Sequence, residues 1–381
     1  MNRPWLHVMG LVFVLTGVLT LRADEKQTSQ LNARSFADLL RKAQYGNHGA
    51  EYRMGLAFAR GEVVEPNASE AVRWFLKAAA AGDPRAEHNL GVMLYRGTGI
   101  ERNLAEALTW FEKAATKGLP EAQFNAACFY EGGIGVPQNL GRALALFHEA
   151  ARQDLAAAEN NLAKMYATGE GVTKDPETAK WWLTKSAKQG DPVGEFDLAA
   201  MFWNGIGGAE DRGKAAYWFE QAAQQGHARA QLMLGVAYRD GLGVPQDYKA
   251  AAKWLLKAAE QGNADAQDRL ANLYLQGLGV MADARLAAVW FSKAAEQGNA
   301  HAQVSLATLY RTGLGVPLNF IKAYTWYRLS ERGSADQSAQ LRELADKMSS
   351  DQVADAEHTA AQWRQRDSPT ESVASRADLL E

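Results

Sequence analysis

The 381-residue chain predicts an all-α fold, a solenoid of about eight tandem 36-residue helix pairs. Three observations carry this: two columns of glycine that recur every 36 residues, a column of asparagine and aspartate at a fixed distance beyond the first, and columns of large and small apolar residues at helical spacing. A repeat of this length is one supersecondary unit that cannot bury its apolar face alone and must stack on its neighbours.

The glycines set the helix ends. One column is Gly61, Gly97, Gly133, Gly169, Gly205, Gly241, Gly277 and Gly313; the other is Gly46, Gly82, Gly118, Gly190, Gly226, Gly262 and Gly298, interrupted only by Asp154. Glycine closes helices because it takes the left-handed conformation without a Cβ penalty. Two such stops per unit mean two helices per unit. Six residues past the first column stand Asn67, Asn103, Asn139, Asp175, Asp211, Asp247, Asp283 and Asn319, the side chains that cap free amides at a helix start. The second helix of each pair therefore begins there. Asp83 with Pro84 and Asp191 with Pro192 mark starts of first helices in the same way. Asn67, Ala68 and Ser69 match a glycosylation acceptor, but the capping role accounts for Asn67 without a sugar.

The apolar columns give the packing. In the first helices Met54, Leu90, Leu162, Leu198, Leu234, Leu270 and Leu306 are followed four residues later by an aromatic or leucine such as Phe58, Leu94 and Tyr166, so both lie on one face. In the second helices an alanine at every unit from Ala71 to Ala323 precedes, by three residues, Trp74, Trp110, Leu146, Trp182, Trp218, Trp254, Trp290 and Trp326. Alanine lets helix axes approach and tryptophan fills the groove beside it. On this reading Trp218→Ala costs about 3–5 kcal/mol, as large-to-small core changes do.

The segment ARAQLMLGVAYRDGLGVPQDYKAAAKWLLKAAEQG, residues 228–262, resembles the consensus of the Sel-like repeat (SLR) family, a relative of the tetratricopeptide repeat. The resemblance covers eight units over 47–334 and implies a TPR-like, right-handed superhelix whose first helices line a concave face. It also implies roles in complex assembly, envelope signalling and polymer-export machinery. Departures are Val63 for a loop glycine, Gly194 for an opening alanine and an early Gly333; the paired cysteines of one subgroup are missing.

The flanks read as follows. Residues 1–23 have Arg3 in a polar start, an apolar run from Val8 to Leu21 and Ala23 before a polar stretch, the pattern of a signal peptide. The run is shorter than the roughly 20 residues of a spanning helix, and an uncleaved inner-membrane anchor is the rival. Residues 24–34 form a linker, 35–46 an N-terminal capping helix, 335–366 two C-terminal capping helices and 367–381 a flexible tail. Ser349 with Gln352 forms a capping box. The mature chain is expected to be periplasmic or secreted, without an integral membrane domain.

Composition and chemistry narrow the function. Net charge is −3, and loss of residues 1–23 removes Arg3 and Arg22 and no acid, leaving −5; nothing there attracts nucleic acid. The seven histidines are dispersed, without metal-binding pairs, so no metal or cofactor is expected. Cys128, the one cysteine, cannot form an internal disulfide and reads as an apolar filler. Glycine pairs such as Gly133 with Gly135 recur as turns and not as a phosphate loop.

Function should lie where the repeat varies. The candidate partner-binding residues on the inner face of the first helices are Tyr52, Arg53, Asn89, Tyr95, Phe124, Asn125, Asn161, Phe196, Trp203, Arg239 and Arg311, with His88 and Asp197 beside them. Asn89, Asn125 and Asn161 share one column, and their amides can both donate to and accept from a peptide backbone. Tyr95 and Trp203 are potential aromatic anchors. The expected function is a non-catalytic scaffold holding a protein or peptide partner; alternatives are binding of a glycan such as a peptidoglycan fragment and, less favoured, a cell-wall-type hydrolase.

Overall fold

A computed structural model describes residues 33–61, 63–330 and 335–366. Among these are nineteen helices and no strand. The chain forms two compact units, one of residues up to Met201 together with Gly205–Ala209, the other of Phe202–Asn204 and the residues from Glu210 onward.

In the first unit, α1 (Ala33–Gln44) precedes the helix pairs α2 (His48–Arg60) and α3 (Ala68–Ala80), α4 (Pro84–Arg96) and α5 (Leu104–Thr116), α6 (Pro120–Gly132) and α7 (Leu140–Ala151), and α8 (Ala156–Thr168) and α9 (Pro176–Lys188). Most of α10 (Pro192–Asn204) also belongs here. The second unit holds α11 (Arg212–Gln224), the pairs α12 (Ala228–Asp240) and α13 (Tyr248–Glu260), α14 (Ala264–Gln276) and α15 (Ala284–Glu296), α16 (Ala300–Thr312) and α17 (Phe320–Ser330), and then α18 (Ala335–Ala345) and α19 (Ser350–Arg366). Consecutive helices pack in series from α1 to α9 in the first unit and from α11 to α17 in the second, where α18 and α19 both pack on α17, so each unit is a helical solenoid.

The local signals act as their chemistry dictates. The side chains of Asn67, Asn103, Asn139, Asp175, Asp211, Asp247, Asp283 and Asn319 all accept from amides in the first turn of the helix they start. Each cap's own N–H is tied back to a first-helix carbonyl, as from Asn103 to Leu94 and Asp283 to Tyr274. The first glycine column is left-handed, as at Gly61 (φ 72°) and Gly205 (φ 64°). Val63 (φ 69°) and Asp154 (φ 60°), which replace glycines of the pattern, are forced into the same region, at a cost of order 1 kcal/mol each. Ser349 and Gln352 exchange hydrogen bonds at 3.0 and 3.3 Å ahead of α19.

The alanine column from Ala71 to Ala323 is fully buried. The tryptophans beside it sit shallower, and a lysine three residues on covers several of the rings, as Lys77 covers Trp74 at 4.2 Å and Lys293 covers Trp290 at 4.3 Å. Trp218 is only half-buried, which corrects its assignment to the deep core. The next position carries the greatest depth: Phe75, Phe111, Phe147, Leu183, Phe219, Leu255, Phe291 and Tyr327 are all buried at 1% exposure or less. Small residues face this column on the first helices. A Cβ on Gly55 would stand 2.5 Å from the Phe75 ring, so glycine there is a requirement of close helix approach rather than of backbone freedom.

A buried polar ladder also runs through the first helices, at Glu51, Glu87, Gln123, Glu159, Glu195, Gln231, Gln267 and Gln303. Gln267 Nε2 donates to the Ala259 carbonyl at 3.0 Å, and Gln297 of the following second helix donates to Gln267 Oε1 at 2.8 Å. Gln231 repeats this with Ala223 and Gln261, while Glu87 and Glu159 take Lys117 at 2.6 Å and Lys185 at 2.9 Å. Where such a bond or ion pair crosses between helices within a unit, it fixes the register of the two.

The ends are covered. Leu39 and Ala43 of α1 pack with Ala50, Met54 and Trp74. At the other end Leu341, Leu344 and Ala356 of α18 and α19 pack with Tyr324 and Tyr327, and Glu357 takes the Tyr324 hydroxyl at 2.8 Å and Arg328 at 2.9 Å. The expected signal peptide, most of the expected linker and the expected tail lie outside the described residues. No described helix is long and apolar enough to cross a membrane.

Candidate binding cleft

The positions singled out from the sequence separate sharply by burial. Tyr52, Asn89, Phe124, Asn125 and Phe196 are buried, and their side chains serve the interior instead of a partner. Tyr52 packs on Phe75 and under the Arg85 guanidinium, 4.3 Å from the ring centre; Phe124 packs on Phe147. The asparagine column forms no ladder for a peptide. Asn125 Nδ2 donates to His88 Nε2 at 2.8 Å, Asn161 Nδ2 donates to the Ala157 carbonyl of its own helix at 3.1 Å, and Asn89 is fully buried with neither amide atom paired. Burial drives the His88 pKa down to about 4, because the charged imidazole has no compensating charge there.

The aromatic candidates are half-buried and engaged. Tyr95 meets Phe129 edge-on with Arg102 5.8 Å from its ring centre. Trp203 meets Phe219, and Arg212 lies over its ring at 4.0 Å. These contacts use ring surface that stacking on a sugar would need. Arg53 is exposed, and Arg311 lies 3.9 Å from Glu343 of the C-terminal helices. Cys128 is buried and its thiol is pushed far above the usual range by desolvation, so it stays protonated and unreactive. Among the described residues no group of three histidine, cysteine or acidic side chains is placed to hold a metal.

Arg239 leads to the site that the sequence alone did not mark out. In the second unit a cleft of about 580 Å³ is lined from α12, α14 and the start of α16, the first helices of three successive repeats. Asp265, Asp268, Arg269, Asn272 and Gln276 of α14 line it; their spacing places them on one stripe of the helix. Arg239 grips the neighbouring Asp240 through two hydrogen bonds of 2.7 Å, and this pairing holds the Asp240 carboxyl below the usual range. Asp268 is 8% exposed, and its Oδ1 accepts from His301 Nδ1 at 2.7 Å. Asp265 accepts from the Asn299 amide at 2.9 Å. Arg269 makes no hydrogen bond or ion pair.

Asp268 and Arg269 stand 180 residues, or five repeats, beyond His88 and Asn89. The second of these columns is thus sealed at Asn89 in α4 and half-exposed at Arg269 in α14, while Asp268, though buried, lines the cleft. Repetition could have flagged the Asp268 row, where an aspartate stands in place of Tyr52, His88, Phe124, Asn160, Phe196, Leu232 and Val304, whereas Arg269 repeats Arg53.

The Sel1 repeat pattern matches eight times, at residues 48–83, 84–119, 120–155, 156–191, 192–227, 228–263, 264–299 and 300–332, and the chain belongs to the Sel1 repeat family, whose helical scaffold is typical of protein–protein interaction. Among solved structures, a Sel1 repeat protein from Oxalobacter formigenes is 38% identical over 72% of this chain and 80% of that one, with a TM-score of 0.62. A protective antigen present in uropathogenic Escherichia coli strains, which displays an SLR fold, is 29% identical over 91% of this chain and 90% of that one, with a TM-score of 0.47. No curated protein matches.

Proposed function

We propose that the chain is a non-catalytic adaptor of a bacterial-type cell envelope, exported by its first 23 residues, which holds a protein or peptide partner on its first helices. The observation that carries this reading is the cleft. Three successive first helices there converge on side chains whose hydrogen-bonding capacity the fold leaves unspent, Arg269 and the second oxygen of Asp268 foremost. Membership of a family built as interaction scaffolds supports it, and the pattern of residues 1–23 supports export.

The test is affinity capture from envelope extract with the chain from Asp24 onward as bait. An Asp268→Asn, Arg269→Ala double variant and an Asn125→Ala, Trp203→Ala double variant run beside it. A partner lost only with the first variant is the expected result. A partner kept by the cleft variant moves the site elsewhere, and capture of nothing by the parent chain overturns the adaptor reading. Fractionation of cells expressing the tagged full chain checks export: recovery in the cytoplasm alone refutes it.

A further inference from the structure

The geometry points to a dipolar ligand for the cleft: a short peptide segment that offers a carboxylate to Arg269 and an ammonium or guanidinium group to Asp265 and Asp268. Assigning the segment to a protein partner rests on the adaptor reading; the charge pattern does not.

Some charges of the cleft are already answered within the fold. Arg239 and Asp240 neutralise each other through their two 2.7 Å hydrogen bonds, a bidentate geometry that leaves neither in need of a counter-ion. Three charged groups of α14 are left. Arg269 adds charge at longer range to Asp240 but makes no direct hydrogen bond or ion pair, although Asp265 stands one helical turn before it at a spacing where such pairs commonly close. Asp265 is bound only by the neutral amide of Asn299, which meets a hydrogen bond but not a charge. Asp268 is more than nine-tenths buried and gives one oxygen to His301; its other oxygen takes no hydrogen bond. All three line the same cleft. It therefore holds a cation without a direct partner and two carboxylates with accepting capacity to spare.

A ligand of one charge satisfies one of these sets and covers the other without pairing it, at greatest cost where the covered group is the buried Asp268. A ligand carrying both charges satisfies both sets at once. The cleft volume falls within the range of about 300–1,000 Å³ usual for ligand sites, enough for a few residues of peptide. Gln276, exposed on the same stripe and without a hydrogen bond in the fold, and the free oxygen of the Asn272 amide, whose nitrogen donates to the Asp268 carbonyl at 2.8 Å, supply groups that can meet peptide N–H and C=O.

The probes are acetylated, amidated tetrapeptides with lysine and glutamate at the two ends and alanine between, in both orders, together with versions in which either charged residue is alanine. Each is titrated into the full mature chain by calorimetry and by NMR up to millimolar concentration. One dipolar order is expected to bind at least tenfold more tightly than either single-charge control. Arg269→Glu should abolish that binding, and a probe with its glutamate changed to lysine should restore it; circular dichroism of the variant checks that it folds. Equal binding by the single-charge controls, no binding of either dipolar probe, or indifference to Arg269→Glu overturns the inference. The adaptor reading fails or stands separately: a partner captured through the cleft while the probes show no dipolar preference keeps the adaptor and removes the charge rule. Dipolar selectivity without any captured partner does the reverse.

Discussion

Removing the Phe219 ring tests the packing more sharply than removing the larger Trp218 next to it. Phe219 is 1% exposed and lies against Trp203, whereas Trp218 is half-buried and turns an edge to Tyr217. A phenylalanine buries about 150–250 Å², worth roughly 4–6 kcal/mol at ~25 cal/mol per Å², an upper figure because the unfolded chain already hides part of it. Truncations of buried aromatics fall at about 3–5 kcal/mol, and Phe219→Ala is expected there. Trp218→Ala should cost about 1–2 kcal/mol, since much of its ring stays in water in the folded chain. Repeat arrays couple mainly through nearest neighbours and need not unfold in one step, so the loss should be read locally. Amide hydrogen exchange by mass spectrometry over α11 and α12, beside urea unfolding followed by circular dichroism, gives that reading. A greater loss of protection in Trp218→Ala than in Phe219→Ala, or a change below about 1 kcal/mol for Phe219→Ala, refutes the assignment of the deep column.

Three further outcomes follow from the same geometry. Gly55→Ala places a methyl 2.5 Å from the Phe75 ring and should lower the urea midpoint more than Gly118→Ala, where the φ of +85° is strained but the space is open; equal effects would show that backbone freedom alone explains both glycines. His88 is held neutral in the fold with a pKa of about 4, against 6.5 when unfolded. The unfolded chain binds the extra proton between those values, so stability is full above about pH 6.5 and falls with pH down to about 4, by about 3 kcal/mol in all. His88→Phe should flatten the dependence in that window; an unchanged slope contradicts the buried neutral imidazole. Cys128, with its thiol buried and its pKa raised by desolvation, should react with a thiol reagent only when the chain is unfolded in urea, and rapid labelling of the native protein would expose an error in the packing of α6.

The helix count per repeat, the helix boundaries and the alanine column were legible in the sequence, because each follows from local rules. A side chain capping its own helix or a glycine taking a left-handed turn needs no knowledge of distant residues. The C-terminal capping box at Ser349 was legible for the same reason. Depth was not legible. Trp74 and Phe75 are one residue apart, and hydrophobicity ranks both as core; only the approach of the neighbouring helix, set by Gly55 against the Phe75 ring, decides that phenylalanine is innermost and that tryptophan lies at the groove mouth under Lys77. The polar ladder was hidden in the same way, since Gln267 looks like a surface residue until Ala259 and Gln297 supply its partners. The binding face shows the limit most plainly. Periodicity selected a column in which Asn89 is sealed and Arg269 is open, and sequence assigns both the same register. Which rows of a column reach solvent depends on the side chains that adjacent repeats bring over it, and only tertiary packing brings those together.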